Sequence, residues 1–231
     1  MFCRFVLLLL PCLVAASGAL IGISPAESVP GKRALSVVEI AIPTGIPTKL
    51  VSLNKLLGYN SDGTATADQK RGIYYVSVAS STASSVVYKI GIESATILGQ
   101  QAYNTSIGMM SFSSKEDKLY AVAACTAGSA TDCLVRIDAD TLHMTPFAPL
   151  PDNWVAFEDG LALDEETGIL YCLAANMVNE TIDHSLTFGI DTASGKIVSQ
   201  AKHQYGPTAP EIVFSVFFDS VARRMIGLCS G

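Results

Sequence analysis

Apolar and polar residues alternate along most of this chain, in short runs that stop at clusters of Gly, Ser, Thr and Asp. A period of two marks a strand with one buried face, and helical periodicity is absent. Two phrases recur. "KRGIYYVSVAS" (Lys70 to Ser80), "EDKLYAVAAC" (Glu116 to Cys125), "ETGILYCLAAN" (Glu166 to Asn176) and "ARRMIGLCSG" (Ala222 to Gly231) each join a polar turn to a strand. "SVVEIAI" (Ser36 to Ile42), "SVVYKIGI" (Ser85 to Ile92), "CLVRIDADT" (Cys133 to Thr141) and "LTFGIDTASG" (Leu186 to Gly195) alternate and then meet another turn. Taking Tyr74, Tyr120, Tyr171 and Ile226 as equivalent gives spacings of 46, 51 and 55 residues. Self-similarity at this period points to a repeat architecture rather than an ordinary sandwich.

The stretch 154–205 shows one unit whole. An inner strand "DGLALD" turns at Glu165 to Gly168 into "ILYCLAAN"; a strand ending "LTFGID" turns at Thr192 to Gly195 into an outer strand "KIVSQAK". Four antiparallel strands make a twisted blade, which buries both faces only by stacking on neighbours around an axis. The predicted fold is all-β: a β-propeller of four-stranded antiparallel blades, about four in number. Complete units fall at 60–103, 104–153 and 154–205. The stretch 36–55 supplies the last two strands of a unit and 206–231 the first two, so these halves are expected to form a split unit. That arrangement gives a closed four-bladed ring; the alternative is an arc of a larger, truncated propeller.

These phrases resemble the secreted propellers with YVTN-type or quinoprotein-like repeats, whose blades read as a strand, an Asp-rich turn, an "LYV"-like strand and "V-x-ID-x-x-TG-K-V". "GILYCLAAN" with "GIDTASGKIV" is nearest to that pattern, then "KLYAVAAC" with "LVRIDADT", then "GIYYVSVAS" with "VVYKIGI". The resemblance runs from Ser36 to the C-terminus. It implies a fold and not an activity, because propellers host binding modules and enzymes alike.

The first residues change the setting. Arg4 precedes an apolar run from Phe5 to Ala16, with Ser17 and Ala19 at the −3 and −1 positions of a cleavage site. This reads as a signal peptide over 1–19, followed by an N-terminal arm over 20–35 and the propeller domain over 36–231. The apolar run is shorter than the roughly 20 residues that span a bilayer, and no later membrane span is expected. Secretion is therefore the expected localisation. Net charge is −6 with scattered basic residues, which leaves no electrostatic footprint for nucleic acid or an anionic membrane. The expected partner is an extracellular protein or small ligand of unknown identity.

Behind a signal peptide, Cys125, Cys133, Cys172 and Cys229 meet an oxidising compartment. Cys125 and Cys133 bracket "TAGSATD" at the ends of adjacent strands, within disulfide reach across a hairpin. Two thiols with no nearby His or second Cys pair would make a poor zinc site. Cys172 and Cys229 read either as small buried residues or as a second pair. Asn104-Thr105-Ser106 and Asn179-Glu180-Thr181 are glycosylation acceptor sequons, which would place Asn104 and Asn179 on the surface.

Catalytic motifs are missing: there is no Gly-x-Ser-x-Gly elbow, no His-Glu-x-x-His and no phosphate loop after a strand. His143, His184 and His203 fall in different elements and read as surface residues. The lone Trp154 is either a stacking platform or a hydrophobic plug between blades. Segments entering the inner strands carry Asn60, Asp62, Asn104, Glu158, Asp159 and Glu211, which should gather at one mouth of the channel. Oxygen ligands from different blades could hold Ca²⁺ there, or the acidic loops could simply be solvated. No other cofactor is expected, and a glycan on Asn104 would remove it from any ligand set. Two functions follow. One is a binding module that uses the variable loops 80–85, 126–132 and 176–184 beside the channel mouth. The other is an enzyme, either a metal-dependent lactonase-like hydrolase or a quinone-cofactor dehydrogenase.

Overall fold

A computed structural model describes residues 19–29, 32–41, 44, 46–57, 64–79, 84–125, 132–152, 154–178, 181–202 and 213–229. Every regular element among them is a strand. The strands are β1 (Ala19–Val29), β2 (Lys32–Ala41), β3 (Pro47–Leu57), β4 (Thr64–Asp68), β5 (Ile73–Ala79), β6 (Ser85–Gly91), β7 (Thr96–Tyr103), β8 (Ile107–Ser113) and β9 (Lys118–Ala124). They continue with β10 (Asp132–Asp138), β11 (Met144–Pro149), β12 (Trp154–Asp164), β13 (Ile169–Val178), β14 (Thr181–Asp191), β15 (Ile197–Lys202), β16 (Val213–Asp219) and β17 (Arg224–Cys229). Strands β4–β7, β8–β11 and β12–β15 form three four-stranded sheets, each in simple chain order and joined by antiparallel pairs. β1–β3 form a three-stranded sheet and β16–β17 a two-stranded one.

One hairpin geometry explains why the polar phrase repeats. The strand-ending residues Asp68, Gly91, Ser113, Asp138, Asp164, Asp191 and Asp219 are each followed, four positions on, by a residue with positive φ: Gly72, Ala95, Asp117, Leu142, Gly168, Gly195 and Arg223. Where the strand ends in Asp, its carboxylate collects the amides of the turn. Asp138 accepts from the Thr141 amide at 2.8 Å, Asp191 from the Ser194 amide at 2.7 Å and Asp219 from the Ala222 amide at 3.0 Å. Such local side-chain bonds favour the turn over a continued strand. The left-handed residue then returns the chain into the next strand, a position that glycine fills without steric cost.

This turn also corrects the alignment of the tyrosines. Counting from the left-handed residue, Tyr120, Tyr171 and Ile226 correspond to Tyr75 rather than Tyr74; Tyr75 faces Thr66 as Tyr120 faces Ser111 and Tyr171 faces Ala162. A slip of one residue exchanges the two faces of a strand. Both Tyr74 and Tyr75 are buried, so polarity could not tell them apart.

The chain divides into two compact units, Met1–Ala102 and Tyr103–Gly231. In the first, Val37, Val51 and Leu53 from the three-stranded sheet pack with Tyr74, Val76, Tyr88 and Ile90 from the β4–β7 sheet. In the second, Tyr120, Val122, Leu134 and Ala148 pack with Trp154, Leu161, Leu170, Cys172, Phe188 and Ile190, joining the β8–β11 and β12–β15 sheets face to face. Inner strands β8, β12 and β16 run next to one another, while every residue of the outer strand β15 is exposed.

Residues 20–35, read as an arm, hold most of β1 and the start of β2. Val37 pairs with Ile23 on one side and with Val51 on the other, so β2 is the central strand of its sheet. The three-stranded sheet β1–β3 belongs to the first unit and the two-stranded sheet β16–β17 to the second. The apolar alternation of Ile21 and Ile23 was masked by Pro25 and by the adjoining leader-like run; Ile21 is buried against the first unit's core.

Candidate functional site

Strand order gives each four-stranded sheet two ends, one with short turns and one with the longer connections. The turn end is tied within and between sheets. Within sheets, the left-handed residue of the first turn accepts an amide from the second: Ile92 donates to Gly72 at 2.9 Å, Ala139 to Asp117 at 3.3 Å and Thr192 to Gly168 at 2.9 Å. Between sheets of the second unit, the Ser114 hydroxyl donates to Glu165 at 2.8 Å, and the Ser114 amide bonds the same carboxylate. Arg223 donates to Asp164 at 2.7 Å and also to Glu166. Arg136 donates to the Thr192 carbonyl, its guanidinium lying 4.0 Å over the Phe147 ring. Burial works against charge on Asp164, yet the Thr167 hydroxyl and amide, Arg223 and the Glu166 amide outweigh it and hold the carboxyl below its usual range.

The loop end is built differently. Cys125 and Cys133 form a disulfide with Cα atoms 4.9 Å apart, closing the β9–β10 connection. Asp132, next to Cys133, reaches across to the neighbouring sheet and accepts the Ala156 amide at 2.9 Å. Burial pushes the Asp132 carboxyl up, and the Ala156 amide offsets this only in part. Close by, burial and then the Asp132 charge push the Cys172 thiol up to about 12, so this free, fully buried cysteine is held as a neutral thiol.

All three inner strands of the second unit break their ladders toward this end. β8 slips between Gly108 and Met110, β16 between Val213 and Ser215, and β12 between Ala156 and Leu161. The β12 interruption is the longest and contains Phe157, Glu158, Asp159 and Gly160. Met109 has φ +35° and offers its sulfur to the Gly160 amide at 2.9 Å, so the β8 and β12 irregularities meet. Bulges of this kind re-aim side chains and are frequent beside active and binding sites.

No family model matches the chain, and neither does any curated protein sequence. Solved structures do match. An oligogalacturonate lyase in complex with manganese aligns with TM-score 0.53 at 14% identity, over 84% of this chain and 52% of that one. The WD40 domain of Toxoplasma gondii coronin aligns with TM-score 0.50 at 13% identity, over 93% of this chain and 54% of that one. TolB from Acinetobacter baumannii aligns with TM-score 0.54 at 8% identity, over 81% of this chain and 41% of that one. The chain is a β-propeller. It spans about half the length of the first of these structures, and identities this low establish the propeller fold alone.

In blade terms, the sequence-derived site residues divide sharply. Glu158 and Asp159 lie in the bulge of an innermost strand, where their backbone alone is described. Asn60, Asp62, Glu211 and the sequon residue Asn179 lie outside the described residues. Trp154 is 9% exposed, belongs to the cluster that joins the β8–β11 and β12–β15 sheets, and packs edge-on against Phe188 with ring centroids 5.0 Å apart. Asn104 is exposed on the bend between β7 and β8. Cys172 carries a free thiol rather than a bond to Cys229. Among the described residues no group of three His, Cys, Asp or Glu is placed to hold a metal, and no helix is long and apolar enough to cross a membrane.

Sequence reasoning missed Asp132 as an inter-blade contact and Met109 as a strained one. Asp132 was visible only as the last residue of a variable loop, and no local signal announces that its carboxylate crosses a seam. The Ala156 amide it accepts is exposed by the open edge of β12, a consequence of tertiary packing.

Proposed function

We propose that this chain is a secreted binding propeller with YVTN-type or quinoprotein-like repeats, which recognises an extracellular protein or small ligand through the loop end of its blades. The observation that carries this reading is the contrast between the two ends. The seven turn hairpins share a left-handed residue at the same position, and within each unit they tie to one another, a use that fixes register and blade packing. The loop end combines a disulfide-closed hairpin, a cross-blade carboxylate and three adjacent ladder interruptions, the longest carrying Glu158 and Asp159. Variable segments on a rigid scaffold are where recognition concentrates. The secretory part of the reading rests on the leader-like residues 1–19 and on the disulfide, a bond that persists in oxidising compartments.

The test is a thermal-shift screen of the purified protein against saccharides, peptides and divalent cations, followed by titration of any hit with two double variants. Glu158→Ala/Asp159→Ala should weaken binding with unchanged folding; Lys70→Ala/Arg71→Ala, at the turn end, should not. The reverse result would place recognition on the other face. Saturable Ca²⁺ binding in calorimetry, coupled to hydrolysis of a chromogenic lactone and lost in the Glu158/Asp159 variant, would move the reading to a metal-dependent hydrolase.

A further inference from the structure

Asn104-Thr105-Ser106 sits on the bend joining β7 to β8, with Asn104 and Ser106 exposed and Thr105 half-buried between them. The middle residue turns inward: its hydroxyl donates to the Ala124 carbonyl at 3.4 Å. Ile107, just beyond, pairs with Ala123. The bend is thus rooted against the two residues that precede the disulfide cysteine Cys125. An acceptor tripeptide is recognised by its first and third residues and tolerates any middle residue but proline, and here the first and third residues are the exposed ones.

We propose that Asn104 carries an N-linked glycan, rooted beside the Cys125–Cys133 hairpin, which shields that disulfide and occupies the adjoining part of the loop end. The proposal rests on the secretory reading above. In the transfer, the Asn104 Nδ2 attacks C1 of the first sugar of a lipid diphosphate-linked oligosaccharide. The C1–oxygen bond to the diphosphate breaks, lipid diphosphate leaves, and one amide proton passes to a base. The folded chain accommodates the product because Asn104 lies on the surface, outside both cores. A glycan here leaves the β12 interruption as the open part of the loop end and removes Asn104 from any set of cation ligands.

The full chain is translated with microsomes, protease protection reporting import independently of glycosylation. A parallel version has residues 1–19 replaced by an established cleavable leader, and both carry Asn179→Gln so that one sequon remains. Imported chain should show a single endoglycosidase-sensitive mobility step. Asn104→Gln and Ser106→Ala should each abolish it, while Thr105→Ala should keep it, since that change removes the Ala124 contact but preserves the acceptor pattern. Enzymatic removal of the glycan should speed reduction of the Cys125–Cys133 bond by a small-molecule thiol severalfold. An imported, protected chain with no mobility step would overturn the attachment, and an unchanged reduction rate would overturn the shielding. Import with the replacement leader alone would count against secretion and leave the Asn104 result standing.

Discussion

Replacing Asp164 and Arg223, singly and together, tests whether the turn end fastens blades to each other. Asp164 is 3% exposed and Arg223 40%, and the guanidinium bridges from the β16–β17 turn to the β12–β13 turn. Asp164 also serves its own hairpin, accepting the Thr167 hydroxyl at 2.5 Å and the Glu166 amide at 3.1 Å. Asp164→Asn keeps an acceptor for the amides and loses the charge. With bonds to charged groups contributing about 1.5–3 kcal/mol, it should cost about 2 kcal/mol. Arg223→Met keeps a stem near the Phe218 ring, whose centroid lies 5.8 Å from the guanidinium, and removes only the cross-blade donors. Solvent screens the exposed side of that pair, so its loss should cost about 1 kcal/mol, at the upper end for surface ion pairs. Urea unfolding, followed by Trp154 fluorescence and by far-UV circular dichroism, gives each value where the two transitions coincide. Trp154 is the sole tryptophan and lies in the core between the β8–β11 and β12–β15 sheets, so its signal follows unfolding of the unit that carries both hairpins. The expected coupling is about 1 kcal/mol, falling in high salt. Strict additivity of the single changes would refute the fastening argument and leave Asp164 as a turn former only.

Backbone conformation makes an opposed pair of predictions. Gly195→Ala should destabilise by at least about 1–2 kcal/mol from the left-handed conformation alone, with an added clash where the new Cβ meets the Phe147 carbonyl at 3.1 Å. Exposed Ala95, at the matching position of another hairpin with φ +50°, should gain roughly 0.5–1 kcal/mol as glycine; thermal melts of the two variants moving in the same direction would contradict the shared geometry. Acid stability should follow the capping aspartates. The Thr141 amide, the Ser194 hydroxyl and the Ala222 amide, with their neighbours, hold Asp138, Asp191 and Asp219 below the usual range. Their contribution is complete above the unfolded carboxyl value of about 3.9 and lost as pH falls through the lower folded values, so a urea-midpoint profile that stays flat below pH 4 would contradict it. Asp132 has the opposite sign: its raised carboxyl favours the folded state most at low pH, an advantage lost as pH rises through the folded value. Asp132→Asn should therefore look least stable relative to wild type in acid. Non-reducing peptide mapping should recover Cys125 joined to Cys133, and reduction should lower stability by about 2–3 kcal/mol on the chain-entropy model; free thiols at both positions would contradict it.

The repeated phrase made the architecture legible because its information is local. An Asp that caps a turn and a residue that can turn left-handed lie within five positions of each other, so "DEETG" and "DTASG" announce hairpins without help from the rest of the chain. Register was less legible. Tyr74 and Tyr75 are both buried, and only the left-handed Gly72 decides which of them matches Tyr120. The first strand was hidden for another reason: Ile21 and Ile23 alternate weakly between a leader-like run and Pro25, and the burial of Ile21 depends on packing against a sheet formed far along the chain.

The loop end was hardest to read, for a reason that bears on function. At the turn end each blade solves the same problem, bringing two strands round in register, and similar sequences solve it. At the loop end the ladder interruptions of β8, β12 and β16 fall in neighbouring strands but differ in length and sequence. Met109 is held at a strained φ with its sulfur against Gly160, and Asp132 takes up the amide that the open edge of β12 leaves exposed. Neither arrangement improves the hairpins, and backbone strain persists only where the surrounding structure holds it in place. Over the five pairs nearest the turn the β4 ladder runs without interruption, whereas those of β8 and β12 slip after the fourth. The departures from that ladder gather where the connections also diverge, which is why Glu158 and Asp159, in the longest of them, are the residues on which the binding reading stands or falls.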